Sequence, residues 1–385
     1  MQRLASDDDV VHTRTSGPLA SAAGAALFSL ALAIAGVAVP LLAVRAGYGV
    51  GQVGVFVAVS AIAQMSTRLY MGALMRRLPD KVFVILSGAV LAVSSAAIAL
   101  SSVWWVFAVS QLLQGVARAF FWTGTQTHAV RVSRSAVGAL AKVNLASGVG
   151  LIGGPTLAGV LAHRSPQFAL GVGAVVAACT VVPASALVRL PPFAPASDGR
   201  KRGQIWRRPG VGAGAWAGAS AGGWRGLLGS YVPVILDQAR QSSATIGFLV
   251  SVANAASVAG GALAGWVRGT GLRWSLVLGI LAAGIGTALV GPVAGTAVLA
   301  GIALAISGAG AGVLQTIGPA VATESVHPQE RGEAIASAGT FRAAALFFAP
   351  FGVAGLVALM PLAVALTAAG LLMTVPALAV RRLRL

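Results

Sequence analysis

Apolar stretches long enough to cross a lipid bilayer follow one another along almost the whole chain. A bilayer core about 30 Å thick needs about 20 apolar residues of helix. The runs are continuous, whereas a β-barrel would show alternating segments of about ten residues. The sequence therefore predicts an all-α membrane protein. Twelve spans are predicted, at 19–44, 52–72, 82–101, 104–126, 138–162, 168–188, 211–236, 244–267, 274–292, 295–320, 333–357 and 359–380.

The positive charges sort to one side of these spans. The formal net charge of +18 would suit a nucleic-acid partner, but most of the 27 Lys and Arg residues fall in the tails and in alternate loops. Only Arg45, Arg164 and Arg240 fall in the opposite loops. Basic loops stay in the cytoplasm. We therefore predict a multi-pass inner (plasma) membrane protein with both termini cytoplasmic and no nucleic-acid partner.

Landmarks in the first part of the chain recur in the second at a spacing near half its length. Gly54 and Gly247 open equivalent spans, and Pro155 and Pro350 lie inside equivalent spans. Such spacing indicates an internal duplication. We predict two pseudo-symmetric six-helix halves around a central cavity. The predicted domains are an N-terminal cytoplasmic tail (1–18), an N-terminal half (19–188), a basic cytoplasmic linker (189–210), a C-terminal half (211–380) and a cytoplasmic tail (381–385).

Short motifs at loop and span positions resemble those of the major facilitator superfamily. GALMRRLPDK (72–81) is similar to the family's Gly-x-Leu-Ala-Asp-Arg-x-Gly-Arg-Lys loop, with Arg76 in place of its Asp, and Asp80 is a candidate to replace that acid. GLIGGPTLAG (150–159) is similar to a pattern of antiporter-type exporters, and HPQERGEA (327–334) to a Pro-x-x-Arg-Gly loop. The resemblance implies an exporter whose gating or structural motif residues are Gly72, Arg77, Gly150, Gly154, Pro155, Gly159, Pro350 and Arg331.

Four arginines, Arg68, Arg118, Arg225 and Arg342, fall within the predicted spans. A cation inside the membrane costs about 2.5–3.5 kcal/mol on insertion scales, so it normally faces a cavity or a partner. Arg118 belongs to a polar stripe on span four, as expected for a helix that lines a cavity. The alternative is that Arg118 binds carbonyls of a neighbouring helix. Arg68 lies near a helix end, where a structural role at the interface is expected.

The guanidinium group pairs bidentately with carboxylates and phosphates, so arginines that share a cavity favour an anionic ligand. The polar residues of the spans complete a candidate site, although each is also explained by hydrogen bonding between helices. The predicted substrate-binding residues are Arg118, Gln111, Gln114, Trp122, Arg225, Arg342, Gln64, Asn254 and Gln315.

The coupling ion is the least determined feature, because no carboxylate is predicted inside a span. His128, His163, Asp237 and Glu324 lie near span ends, so a proton stays open as coupling ion. The predicted function is export of an organic metabolite or drug, with an anion favoured, by a monomer that works by alternating access. Uptake or facilitated diffusion of an organic anion is the alternative.

Other classes of protein are weaker alternatives. A membrane-embedded enzyme would need a constellation such as paired carboxylates or a histidine cluster. The chain has four histidines at scattered positions and one cysteine, Cys179. We therefore expect no catalytic residues, no cofactor and no metal site. A channel or a sensor is a further alternative of low weight.

Overall fold

The computed structural model describes residues 7–132, 136–192, 205–264, 271–326 and 331–380. These residues form helices joined by short turns, with no strand among them. A 3₁₀-helix at Ile205–Arg207 precedes α8. The α-helices are α1 (Asp7–Arg45), α2 (Val50–Met75), α3 (Asp80–Leu100), α4 (Trp104–Val132), α5 (Ala136–Ala162), α6 (Pro166–Cys179), α7 (Val181–Ser185), α8 (Pro209–Leu228), α9 (Tyr231–Gln238), α10 (Ser243–Ala264), α11 (Gly271–Val293), α12 (Ala297–Glu324), α13 (Arg331–Val357), α14 (Leu362–Leu372) and α15 (Pro376–Val380).

Ten helical stretches of the described residues are long and apolar enough to cross a membrane. The all-α membrane fold predicted from the sequence is thereby confirmed. The predicted spans 104–126 and 211–236 are not among the ten. Each is nonetheless helical, and each contains one of the intramembrane arginines, Arg118 in α4 and Arg225 in α8. The count of twelve spans in two halves stays a prediction.

Three predicted spans are each broken into two helices at a proline. The helices α6, α8 and α14 end four or five residues before Pro183, Pro233 and Pro376. Proline has no amide hydrogen for the carbonyl four residues earlier, and its ring crowds that carbonyl, so a helix often ends there. In contrast, α5 and α13 continue through Pro155 and Pro350. Pro155 and Pro350, which lie inside equivalent predicted spans, therefore do not interrupt their helices.

Glycines let α5 pack closely against α1. A Cβ atom added at Gly154 would lie 2.5 Å from Cβ of Ala33 and 2.8 Å from the carbonyl oxygen of Leu30. One added at Gly150 would lie 2.6 Å from the backbone nitrogen of Leu30. Small residues allow such close approach where lipid supplies no hydrophobic drive between helices. The contact gives both glycines a packing role.

We call the end of the bundle at which α1 ends and α2 begins the Arg45 side. Here the helices before residue 192 contact those after residue 205. Arg45 donates a hydrogen bond from Nη2 to Oγ of Ser243, at 3.1 Å. Next to it, α5 and α10 meet at Gly159 and Gly247, where an added Cβ at Gly159 would lie 3.0 Å from Cα of Gly247. These contacts close this side of the bundle.

The α2 and α13 helices also meet near the Arg45 side. Tyr231 donates a hydrogen bond to the carbonyl oxygen of Pro350, at 3.3 Å. Gly54 of α2 lies against both the Tyr231 hydroxyl and the Pro350 carbonyl, so a side chain at Gly54 would collide with them. The tight approach of α2 to α9 and α13 therefore depends on this glycine.

The opposite end, here called the Asp80 side, holds a buried ionic cluster. The Asp80 carboxylate lies 3.3 Å from Nη1 of Arg131 and 3.3 Å from Nδ1 of His128. Asp80 is 1% exposed and His128 is fully buried. Arg131 also donates to the carbonyl oxygen of Pro191, at 2.8 Å. Asp80, the first residue of α3, therefore links α3 to α4.

Candidate substrate site

Arg225 on α8 is held by a neutral amide on α10. Its Nη1 donates to Oδ1 of Asn254 at 2.6 Å, while Nδ2 of Asn254 donates to the carbonyl oxygen of Val250 at 3.0 Å. The second bond fixes which amide atom faces the guanidinium. The guanidinium also lies 5.2 Å from the ring centroid of Trp224, and Trp224 donates to Oγ of Ser307 at 3.1 Å. Side chains from three helices thus position Arg225.

Arg342 on α13 has an equivalent neutral partner on α12. Its Nη2 donates to Oε1 of Gln315 at 2.9 Å. Nε2 of Gln315 donates to the carbonyl oxygen of Ala311 at 3.2 Å and to Oγ of Ser257 at 3.4 Å. Since α8 packs at Gly222 directly on the backbone of Arg342, the helices that carry Arg225 and Arg342 are neighbours. One adjoining site therefore contains both arginines.

Two further arginines join this pair from the helices before residue 192. Arg68 lies on α2, which packs against α13, and Arg118 lies on α4, which packs against α2. In this arrangement the charges of Arg342 and Arg118 act on Arg225, and that of Arg68 acts on Arg342. We call Arg68, Arg118, Arg225 and Arg342 the arginine cluster. Arg68 is exposed on α2, and its structural role at the interface stays a prediction. Four helices, α2, α4, α8 and α13, supply the cluster.

The rest of the protein leaves part of each arginine of the cluster uncovered, and no acidic side chain among the described residues pairs with the cluster. Arg68 and Arg342 are exposed, and Arg118 and Arg225 are half-buried. Asp80, whose carboxylate lies 3.3 Å from Arg131 and from His128, is on the Asp80 side. The cluster is therefore a set of like charges held by neutral amides, which suits an anionic ligand.

Arg118 differs from the arginines on α8 and α13 because its Nε atom is buried without a hydrogen-bond partner among the described residues. Four other polar atoms on α4 are in the same condition: Nε2 of Gln114, Oγ1 of Thr125 and the two ring nitrogens of His128. Buried polar groups usually have partners. This face of α4 therefore has spare hydrogen-bonding capacity near the cluster.

Other predicted binding residues lie in helix contacts. Gly115 packs on α2, where an added Cβ would lie 2.7 Å from Cβ of Ala63 and 3.0 Å from the backbone nitrogen of Gln64. Gln111 is one turn before Gly115, and both Gln111 and Gln64 are buried. Their position suits helix packing as well as ligand contact. Trp122 packs edge-on against Phe121, with ring centroids 5.5 Å apart.

Sequence reasoning missed Ser257 and Ser307, which hold the partners of the two arginines in place. Ser257 follows Asn254 by three residues and so shares its face of α10, which is a signal available in the sequence. Nothing local marks Ser307, because its contact to Trp224 joins α12 to α8.

The predicted gating motif residues lie mostly away from the cluster. Gly159 contacts α10, and the carbonyl of Pro155 faces Gly247. Arg77 is exposed in the turn between α2 and α3. The surroundings of Gly72 and the side chain of Arg331 lie outside the described residues, so their roles stay predictions.

Residues 21–350 match the family profile described as the Major Facilitator Superfamily. The chain belongs to this family. No curated protein matches the sequence significantly. The resemblance seen in the sequence motifs is thereby confirmed for the superfamily, while the exporter subclass stays a prediction.

Solved structures of other superfamily-type transporters share the fold. The crystal structure of a mutant of the nucleoside transporter NupG has a TM-score of 0.75 at 11% identity, covering 96% of this chain and 98% of that one. A POT family transporter in complex with a thioalcohol-conjugated peptide has a TM-score of 0.74 at 11% identity, covering 95% of both chains. A bacterial homologue of the human lysosomal transporter Spinster, inward-facing and unoccupied, has a TM-score of 0.69 at 14% identity, covering 96% and 97%.

These matches settle the class of the protein. The superfamily and the structural neighbours are transporters and not enzymes, so this member of the superfamily is a multi-pass membrane transporter for small molecules. At identities of 11–14% the neighbours show the fold alone. The substrate must therefore be argued from the residues of this chain.

Proposed function

We propose that this protein exports organic anions across the inner membrane by alternating access, with the arginine cluster as its substrate site. The observation that supports this most strongly is the set of partners of Arg225 and Arg342. Each guanidinium is held by a neutral amide, from Asn254 and from Gln315. An arginine that only stabilised the fold inside a membrane would normally be neutralised by a carboxylate or would bind backbone carbonyls.

The geometry leaves donors free for a ligand. A guanidinium has several N–H donors, and each amide oxygen takes one of them from its arginine. The remaining donors suit the oxygens of a carboxylate or phosphate, which a guanidinium binds in pairs. Arg118 on α4 approaches from the other side with an unpartnered Nε. An anion bound here would touch helices from both predicted halves.

The contacts on the Arg45 side support a state that opens towards the Asp80 side. We take the Asp80 side as cytoplasmic, because the basic loops and tails of the sequence lie there. In the proposed cycle, residues 19–188 rock against residues 211–380 about the cluster, as in transporters built from two repeats. Opening the Arg45 side would separate Gly159 from Gly247 and Arg45 from Ser243.

Binding of an anion is tested by thermal unfolding of the purified protein. Phosphate, succinate and a cationic drug are added separately to the parent protein and to Arg118→Ala. A ligand of the native state raises stability by mass action, by about 2.7 kcal/mol at 100 times Kd. We expect stabilisation by the two anions, lost in Arg118→Ala and kept in Arg164→Ala, a change at an exposed loop arginine. Stabilisation by the cationic drug alone would reject an anion site.

Export is proposed from the resemblance of residues 150–159 to the antiporter-type exporter pattern. Cells with and without the protein are loaded with a labelled anion that stabilises the purified transporter, and the label left inside is followed over time. Faster loss of label from cells that make the protein supports export. Faster accumulation from the medium would support the alternative, uptake or facilitated diffusion of an organic anion.

A further inference from the structure

We infer that this transporter is an obligatory anion exchanger: the cavity reorients only when a substrate with at least two negative charges occupies the arginine cluster. This inference rests on the proposed function and adds the charge of the substrate and the coupling partner. The coupling partner is a second anion travelling the other way, in place of the proton that the sequence left open.

The first step of the argument is the charge balance of the cluster. Arg225 and Arg342 lie on α8 and α13, which are in contact at Gly222. Arg68 is on α2, which packs against α13, and Arg118 is on α4, which packs against α2. The hydrogen-bond partners of the cluster among the described residues are the uncharged side chains of Asn254 and Gln315. Like charges at short range repel, and the repulsion grows as water is excluded. The empty cluster therefore carries an uncompensated positive charge.

The second step is what reorientation requires. In this structure the rest of the protein leaves two of the cluster's arginines exposed and covers the other two only in part. To reach the opposite state, the transporter passes through an occluded form in which this accessible surface is largely buried. Burying unpaired charges is costly, whereas burying charges paired with an anion costs much less. The loaded transporter therefore reorients much faster than the empty one, which is the condition for exchange.

The third step concerns the charge of the substrate. A monoanion offers one group to a site whose arginines are carried by different helices, Arg225 by α8, Arg342 by α13 and Arg118 by α4. A dianion can satisfy donors on more than one of these helices and leaves less positive charge to be buried. Phosphate-bearing molecules and dicarboxylates share this chemistry, since each presents several charged oxygens that match guanidinium forks.

The fourth step is the position of the groups that could carry a proton. The Asp80 carboxylate lies 3.3 Å from Nδ1 of His128 and 3.3 Å from Nη1 of Arg131, on the Asp80 side. Asp237 lies in α9, where the charge of Arg45 acts on it. Glu324 is exposed at the end of α12. Among the described residues, therefore, the titratable acids and His128 are engaged or placed away from the cluster, whose arginines stay protonated at physiological pH.

Exchange is tested with purified full-length protein in liposomes. Uptake of labelled inorganic phosphate is compared between vesicles loaded with unlabelled phosphate and vesicles loaded with an uncharged sugar. We expect at least about tenfold faster uptake into the phosphate-loaded vesicles. A protonophore should not change this ratio, and an imposed pH gradient should act on phosphate only through the titration of phosphate itself. Internal succinate should replace internal phosphate, and internal lactate, a monoanion, should not.

A charge-lowering variant separates exchange from mere loss of function. Arg342→Gln removes one positive charge, so the empty cluster becomes easier to bury. We expect its ratio of exchange to net uptake to fall, because net uptake into sugar-loaded vesicles rises relative to exchange. A loss of folded protein would lower both rates together. Arg164→Gln, at the exposed loop arginine, is the matched control and should keep the parent ratio.

The outcomes distinguish this inference from the proposed function. Phosphate or succinate uptake that is equally fast into sugar-loaded vesicles, or that follows a pH gradient beyond the titration of the anion itself, would overturn exchange while leaving the protein an anion transporter. Lactate exchange as fast as succinate exchange would overturn the requirement for two charges. If none of these anions moved and none stabilised the purified protein, the proposed function and the exchange inference would both be wrong.

Discussion

The arginines on α8 and α13 are held in place, whereas the polar face of α4 is not. Arg225 and Arg342 each bond to an amide, and each amide bonds in turn to a carbonyl one turn earlier in its own helix. On α4, buried polar atoms of Arg118, Gln114 and Thr125 have no hydrogen-bond partner among the described residues. One side of the site is preorganised, and the other has bonds still to make.

This difference suggests how ligand binding drives the conformational change. A preorganised side costs little to occupy, because its donors already point into the site. The α4 side gains the bonds it lacks only when a ligand, or a different arrangement of helices, supplies acceptors. A ligand changes an equilibrium only through its differential affinity for the two states. The unpartnered face of α4 is where that differential affinity can arise.

The largest expected effect is loss of anion binding when the preorganised side is removed. Arg225→Ala deletes a charge-assisted hydrogen-bond donor, a contact that contributes about 1.5–3 kcal/mol. The Kd for phosphate, measured by calorimetry, should rise about 10- to 100-fold. Arg164→Ala should leave it unchanged. An unchanged Kd in Arg225→Ala would mean that the cluster is not the binding site.

A smaller effect, of opposite sign, is expected in the unliganded protein when Arg118 is replaced. Arg118→Met removes a cation at membrane depth, which costs up to about 2.5–3.5 kcal/mol on insertion scales. Since its Nε has no partner to lose, the melting temperature without ligand should rise. Arg225→Met should gain less, because it leaves the amide oxygen of Asn254 without its donor. Equal shifts for the two variants would remove the contrast between the two sides.

Substitutions of Gln315 and Gln114 form a matched pair with a smaller expected effect. Gln315→Leu removes the acceptor of Arg342, so the free energy of unfolding should fall by about 1–3 kcal/mol. Gln114→Leu removes a buried amide whose Nε2 has no partner, so stability should be unchanged or slightly higher. Chemical denaturation of both variants in detergent checks this. Equal destabilisation by the two would indicate that Gln114 has a partner in solution.

Much of the fold follows from the sequence because span length and apolar continuity are local properties. The span predicted to begin at residue 82 corresponds to α3, which begins at Asp80, and the span predicted to end at residue 162 corresponds to α5, which ends at Ala162. The breaks before Pro183 and Pro233 were not predicted, although proline gives the signal. The site was predicted only in part. Arg225 and Arg342 were identified because a cation inside the membrane is energetically costly. The contact at Gly222 that makes their helices neighbours depends on the rotation and tilt of α8 and α13.

The contacts of Asp80 also could not be predicted from the sequence. Its position suggested that it could replace the acid of the family motif, but not that it would be buried against His128 and Arg131. Arg131 lies 51 residues further along the chain. Pairing across that distance is set by how α3 and α4 pack, and a single sequence carries no direct signal for such packing.

The smallest expected effect concerns how stability depends on pH through Asp237, a titratable residue near the Arg45 side. Asp237 lies one residue beyond the predicted span 211–236. Burial raises the pKa of its carboxyl group, and the charge of Arg45 offsets part of that rise. A raised pKa in the folded state means that the native protein binds this proton more tightly than the unfolded chain does. Stability should therefore fall as the pH rises through the raised pKa.

Asp237→Asn removes this titration and should flatten the dependence of melting temperature on pH in the acidic range. The arginine cluster keeps its charge throughout that range, so phosphate-dependent stabilisation should respond to pH only through the titration of phosphate itself. Succinate and sulfate, whose charges change at different pH values, provide the control. If Asp237→Asn altered the pH dependence of anion binding as well as that of stability, the Arg45 side would be coupled to the cluster by a proton, and exchange without protons would be contradicted.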